Sequence, residues 1–113
     1  MRAWLVGLLI AAPAAAQPLE TRCGWYANPT PGNHWLTDAD ASWTLHSQGG
    51  AMAPGWDTVE ISGTPEWVRT NGYYGYGCAC ARMAVRDGEV VRIASMRWIP
   101  LARCEADPAL DAP

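Results

Sequence analysis

The sequence predicts a mainly β fold: a small disulfide-stabilised antiparallel sheet with a long ordered N-terminal loop and at most a short C-terminal helix. Three observations point there. Asn71-Gly72 and Asp87-Gly88 each interrupt strand-like stretches with residues that readily take the left-handed angles of a two-residue hairpin turn. Four cysteines (Cys23, Cys78, Cys80 and Cys104) form an even set in a short chain with an export-type N-terminus, which reads as two disulfides. Six of the 7 tryptophans lie beyond residue 16, and large aromatic side chains of this kind thicken a thin core.

The N-terminus has the form of a secretory signal. Arg2 supplies a positive start, Trp4 to Ala12 form a short apolar core, Pro13 interrupts it, and Ala14-Ala15-Ala16 offers the small residues that a signal peptidase reads. A membrane span needs about 20 apolar residues, roughly twice what this core provides. Residues 1–16 are therefore expected to be a signal peptide and residues 17–113 one small exported domain, with no stable membrane insertion after cleavage.

Chain length leaves that exported part enough residues for one domain and too few for two. Losing Arg2 takes the formal net charge from -3 to -4, and every remaining base is an arginine. A weakly acidic domain without a dense basic run argues against nucleic acid as a partner.

Taken in order, residues 23–40 read as an ordered, aromatic-pinned loop, since they hold two prolines, two glycines and repeated Asn and Asp. Trp43 and Leu45 alternate with Thr44 and His46 as a short strand, which Gln48-Gly49-Gly50 ends. Residues 57–62 alternate again, with Val59 and Ile61 on one face. The two hairpin turns then define a meander over 66–70, 73–86 and 89–98. An Asp87-Gly88 turn sets Arg86 opposite Glu89, Val85 opposite Val90, Met83 opposite Arg92 and Arg82 opposite Ile93. In that register Arg82, Arg86 and Arg97 share a face and Arg92 takes the other. The long middle strand carries Tyr74, Tyr76, Cys78 and Cys80 on one face. Gly75, Gly77 and Ala79 lie on the other, where a tryptophan ring or another segment can approach the backbone. Pro100 ends the third strand, and Leu101 to Ala106 can start a helix that Asp107-Pro108 stops early.

Cys78 and Cys80 leave one strand face at a spacing poorly suited to bonding each other. The favoured frameworks tie Cys23 to one of them and Cys104 to the other, with both assignments open. A redox-active Cys-Ala-Cys pair and a zinc site are the sharper readings, and neither has the usual Cys-x-x-Cys spacing.

The segments Cys23-Gly24-Trp25-Tyr26-Ala27-Asn28-Pro29-Thr30-Pro31-Gly32-Asn33, Trp35-Leu36-Thr37-Asp38 and Thr70 to Cys80, with the late Cys104, resemble a bacterial family of small exported proteins. That family is known as domain of unknown function 4087. The resemblance spans nearly all of the mature chain. It implies export and the cysteine framework, and it supplies no activity.

Few residues suggest chemistry. His34 and His46 with Asp38 and Asp40 are suitable metal ligands but lack a spacing that would hold them together. Asp38, Asp40 and Ser42 alternate oxygens without the Gly and Glu of a calcium loop, and Asx turns explain them more cheaply. No nucleophile elbow or phosphate-cradling loop occurs. The expectation is thus no catalytic residue, metal or cofactor. The candidate binding surface combines Trp25, Tyr26, Trp35, Tyr74 and Tyr76 with Arg82 and Arg97, because aromatic and arginine side chains anchor interfaces. The leading reading is a non-catalytic binding or inhibitory domain in the periplasm or secreted. Its partner is then an envelope or extracellular protein in preference to a glycan. A thiol-disulfide protein using Cys78 and Cys80 and a structural accessory factor of the cell envelope are the alternatives.

Overall fold

The computed structural model describes residues 17–113; the expected signal segment lies outside the described residues. Seven strands form one sheet: β1 (Glu20–Asn28), β2 (His34–Thr37), β3 (Ser42–His46), β4 (Ile61–Ser62), β5 (Val68–Asn71), β6 (Tyr74–Arg86) and β7 (Glu89–Ile99), followed by the helix α1 (Leu101–Glu105). Their order is β3-β2-β1-β6-β7-β4, with β5 also pairing β6. Neighbours are antiparallel except β4, which runs parallel to β7. The mainly β class, the two disulfides and the short C-terminal helix follow the sequence expectation.

The 13-residue β6 organises the rest, because its alternation sends two different populations to the two faces. Ala79, Ala81 and Met83 point inward and join Tyr26, Leu36, Trp43, Leu45, Val90, Ile93 and Met96 in the larger core. Cys78 and Cys80 point outward and pack with Trp25, Ile99 and Cys104 in a second cluster, against which Tyr76, Leu101 and Leu110 lie. Small inward residues on β6 make room for the tryptophans. A Cβ on Gly77 would stand 2.9 Å from Trp98 Cζ3 and 3.3 Å from Trp67 Cε3, whereas at Gly75 the Val68 carbonyl of β5 approaches, so the glycine face admits both a ring and another segment as its composition suggested.

Four local expectations are corrected. Residues 23–40 are largely paired rather than loop, forming most of β1 and all of β2. The prolines and Gly32 fall only in the connection between the strands, where Asn28 Nδ2 donates to the carbonyls of Thr30 and Asn33 at 3.0 and 2.8 Å. Both flanks are left free to join the sheet.

Residues 57–62 do not form one strand. A 3-10 turn covers Trp56–Thr58 after Gly55, whose φ is 94°, and only Ile61–Ser62 pairs with β7. Trp56, Val59 and Ile61 all pack on the larger core, and the turn is what lets Trp56 reach it.

The first hairpin turns one residue later than expected, at Gly72-Tyr73 between the paired Asn71 and Tyr74, because β5 carries an irregularity between Arg69 and Asn71.

The second hairpin turns as expected, with Asp87 at φ 52° and Gly88 at φ 79°, and with Arg86 opposite Glu89 and Val85 opposite Val90. Beyond that the register slips twice. Arg92 opposes Ala84, Ile93 opposes Met83 and Ser95 opposes Arg82. The cause is the spacing of the apolar residues: Val90, Ile93 and Met96 recur every third position and all are buried, which strict alternation forbids and two bulges permit. Ile93 also donates its N–H to the Pro54 carbonyl at 2.9 Å, tying the 51–55 segment to the bulged strand. The slipped register brings Arg92 to the side of the sheet that carries Arg82 and Arg97, not to the opposite one.

Candidate functional site

The candidate residues divide between the two faces. Tyr26 is inward and buried, ringed by His34, Trp56, Trp67 and Trp98 at centroid separations of 5.6–6.1 Å. Its hydroxyl lies 2.7 Å from His34 Nδ1. Burial raises the phenol's pKa, while burial and the neighbouring His46 lower that of His34. The pair is therefore a protonated phenol and a neutral imidazole joined by one hydrogen bond, whose donor is set by the imidazole tautomer. The His34 and His46 rings stack at 6.2 Å, so both histidines belong to the aromatic edge of the core. Among the described residues no group of three or more His, Cys, Asp or Glu is arranged to hold a metal ion.

Asp38 and Asp40 are engaged structurally. Asp38 Oδ1 accepts the backbone N–H groups of Asp40 and Ala41 at 2.9 and 3.0 Å, the Asx arrangement expected. Arg22 reaches Asp38, Asp40 and Glu20 at 2.8, 3.0 and 2.7 Å, with its guanidinium 4.5 Å over the Trp43 ring. Burial works against ionisation of Asp38, but the bonds from Arg22 and the two backbone groups outweigh it and leave its pKa below the usual value. Sequence reasoning missed this network; the alternation that places Arg22 on the inward side was the available signal.

Trp25 faces outward yet is only 2% exposed, since Tyr76 meets it edge-on at 5.3 Å and the cysteine cluster surrounds it. Trp25 and Tyr26 therefore act as core and do not present rings to a ligand. Trp35, Ala27 and Tyr76 stand side by side across β2, β1 and β6. Trp35 and Tyr76 remain partly accessible and line a hollow of about 430 Å³ together with Ala27, Pro29, Thr70, Gly75 and the terminal Pro113. Tyr74 is partly buried beside it. Tyr73, at the hairpin tip, is the most exposed aromatic described, at 81%, with Arg69 stacked 4.6 Å over its ring. Its place in the turn was obscured in sequence by the expectation of an Asn71-Gly72 turn.

Both disulfides lie under the same outward face. Cys23 bonds Cys80 directly across β1 and β6, with Cα atoms 4.0 Å apart, and Cys78 bonds Cys104 of α1 at 5.9 Å. Each partner of the Cys-Ala-Cys pair is thus used in a long-range bridge. Glu66 Oε1 accepts the Leu101 N–H at 2.7 Å, fixing the start of α1. Further along this face, Arg82 and Arg97 are exposed. The outward face thus carries an aromatic hollow at one end, two disulfides in the middle and arginines at the other.

Residues 17–111 match the model of a protein family of unknown function, DUF4087, and the chain belongs to that family. No curated protein matches the chain. No solved structure matches it.

Proposed function

We propose that this DUF4087 protein is an exported, non-catalytic binding domain, held in the periplasm or secreted, which recognises an envelope or extracellular protein through the outward face of its sheet and acts as an adaptor or inhibitor. The observation that carries this reading is the hollow lined by Trp35 and Tyr76 on a face backed by two disulfides. Partly accessible aromatic rings on a rigid support lose little conformational entropy on binding, which is the property of an interface anchor. The export half of the proposal rests on the charged start, short apolar core and alanine run of residues 1–16.

The redox alternative would require both long-range bridges to open before Cys78 and Cys80 could act as a couple. Non-reducing peptide mapping of the mature protein separates the two: peptides linked through Cys23–Cys80 and Cys78–Cys104 are expected, and a free or mutually bridged Cys78–Cys80 pair would favour the redox reading.

The binding proposal is tested with immobilised mature protein and an envelope extract of the producing cell. We expect a saturable partner that is competed by free domain and lost from Trp35→Ala/Tyr76→Ala, assayed well below that variant's own thermal midpoint so that the loss is not one of folding. Saturable sedimentation with peptidoglycan in place of a protein partner would redirect the proposal to a glycan. Binding that is unchanged in the double variant would remove this face from the function.

A further inference from the structure

The arginine end of the outward face has an organisation that the binding proposal does not use. The register builds two adjacent rows across four strands. Thr21, Arg82 and Ser95 stand side by side on β1, β6 and β7, and Cys23, Cys80, Arg97 and Ser62 do so on β1, β6, β7 and β4. Arg82 and Arg97 are consequently diagonal neighbours, which puts their Cβ atoms within roughly 7–8 Å. That is a span which two long guanidinium side chains can close onto a single group. Thr21, Ser62, Ser95 and both arginines line a hollow of about 140 Å³ together with Cys80.

Arg82 donates from Nη1 to Thr21 Oγ1 at 3.1 Å, and neither Arg82 nor Arg97 has an ion-pair partner among the described residues. Arg22, one strand over and on the opposite face, is by contrast surrounded by three carboxylates. In a chain of net negative charge, two cations left without anions on one small patch form a local site of reversed potential.

From this geometry we infer that Arg82 and Arg97, with the hydroxyls of Thr21 and Ser95, bind a phosphate group. Guanidinium is the side chain suited to oxyanions, because its fork donates two parallel N–H bonds and it stays charged at every relevant pH. Thr21 accepts from Arg82, so its own hydroxyl proton remains free to donate, and Ser95 adds a second hydroxyl on the far side of Arg82. Donors arriving from three strands surround a tetrahedral anion better than a flat carboxylate, and two positive charges match a phosphomonoester dianion. The Cys23–Cys80 bridge pins β1 to β6 one row away, so the donors are held in register before the anion arrives.

The test is titration of the oxidised mature protein with inorganic phosphate at low ionic strength, read from the Nε–Hε resonances of the arginines. Saturable shifts at Arg82 and Arg97 are expected. Affinity should fall about tenfold in either Arg82→Gln or Arg97→Gln, as loss of one charge-assisted bond implies, and further in the double variant. Arg103→Gln, which removes an equal charge from α1, should leave the affinity unchanged. Vesicles containing phosphatidic acid, compared with phosphatidylcholine alone, distinguish a lipid headgroup from a soluble phosphate: cosedimentation that needs both arginines assigns the lipid, and a phosphate response without it assigns the soluble group. The inference is overturned if acetate binds as tightly as phosphate, if the double variant retains the response, or if Arg103→Gln loses as much as the site variants. Because this readout needs no protein partner, it stands or falls separately from the binding proposal.

Discussion

At Gly77 the two tryptophan rings leave no room for a methyl group, and at Gly24 a Cβ would run into the Thr37 carbonyl of the paired strand. Gly77→Ala should therefore cost about 1–3 kcal/mol through overpacking, measured as a lowered urea midpoint at unchanged m-value. Gly24→Ala should cost more, because backbone yields less readily than a ring. Neither constraint is written in the residues themselves. Glycine on a strand face signals a close approach, but which element makes it depends on the tertiary fold. The Tyr26–His34 pair gives a second residue-level prediction. His34 is held neutral by burial and by His46, so its folded pKa lies below its unfolded value of about 6.5. Its contribution to stability is complete above that unfolded value and is lost as pH falls from there toward the folded pKa, because the unfolded chain takes up the proton first. Urea midpoints at about pH 7.5 and about pH 5 should show the decline, and His34→Gln should flatten it. Asp38, whose folded pKa is depressed, adds a separate loss only at lower pH, below the ordinary carboxylate value. An identical pH dependence in His34→Gln would show that other groups carry the effect.

Among the elements, β6 was legible because Tyr and Cys alternate with Gly and Ala over residues 74–81, and the Asp87-Gly88 turn was legible because only a few residue pairs tolerate its angles. The strands β1 and β2 were hidden by the prolines and glycines that join them, which weigh on any reading of the whole 23–40 window although they occupy only its connection. The bulges of β7 left a trace, the three-residue spacing of Val90, Ile93 and Met96. They became interpretable only once all three side chains were found inside. The pairing of the cysteines was narrowed by the period of the strand, and the partner of each was decided by register: Cys23 falls directly opposite Cys80, which leaves Cys78 facing α1. Opening each bridge should have a distinct result. Cys78→Ser/Cys104→Ser releases α1 and should cost about 3.5 kcal/mol for a sequence separation of 26. Cys23→Ser/Cys80→Ser opens the bridge that closes the longer loop, with a sequence separation of 57, and should cost about 4 kcal/mol in the chain-entropy account. Hydrogen exchange should rise over residues 101–110 in the first variant and along β1 in the second. Equal effects in both regions would mean that the bridges do not hold separate elements.

For the molecule as a whole, the two faces of one sheet do different work. The inward face takes the larger apolar cluster and most of the tryptophans, while the outward face is thin, braced by disulfides and α1, and left with an accessible aromatic hollow and an arginine patch. The sequence supplied the candidate residues of that face but could not rank them, since exposure is a property of the packed sheet: Trp25 and Tyr26 went into cores, and Trp35, Tyr76, Arg82 and Arg97 stayed within reach of solvent. The central claim is that this outward face meets a protein partner. The direct measurement is site-specific photo-crosslinking in the producing cell, with a photoreactive phenylalanine analogue at position 35 and, for comparison, at position 52, where Met52 is exposed away from the hollow. The account predicts one discrete adduct from position 35, competed by unlabelled domain, and none from position 52. No adduct from position 35, or the same adducts from both positions, would contradict it.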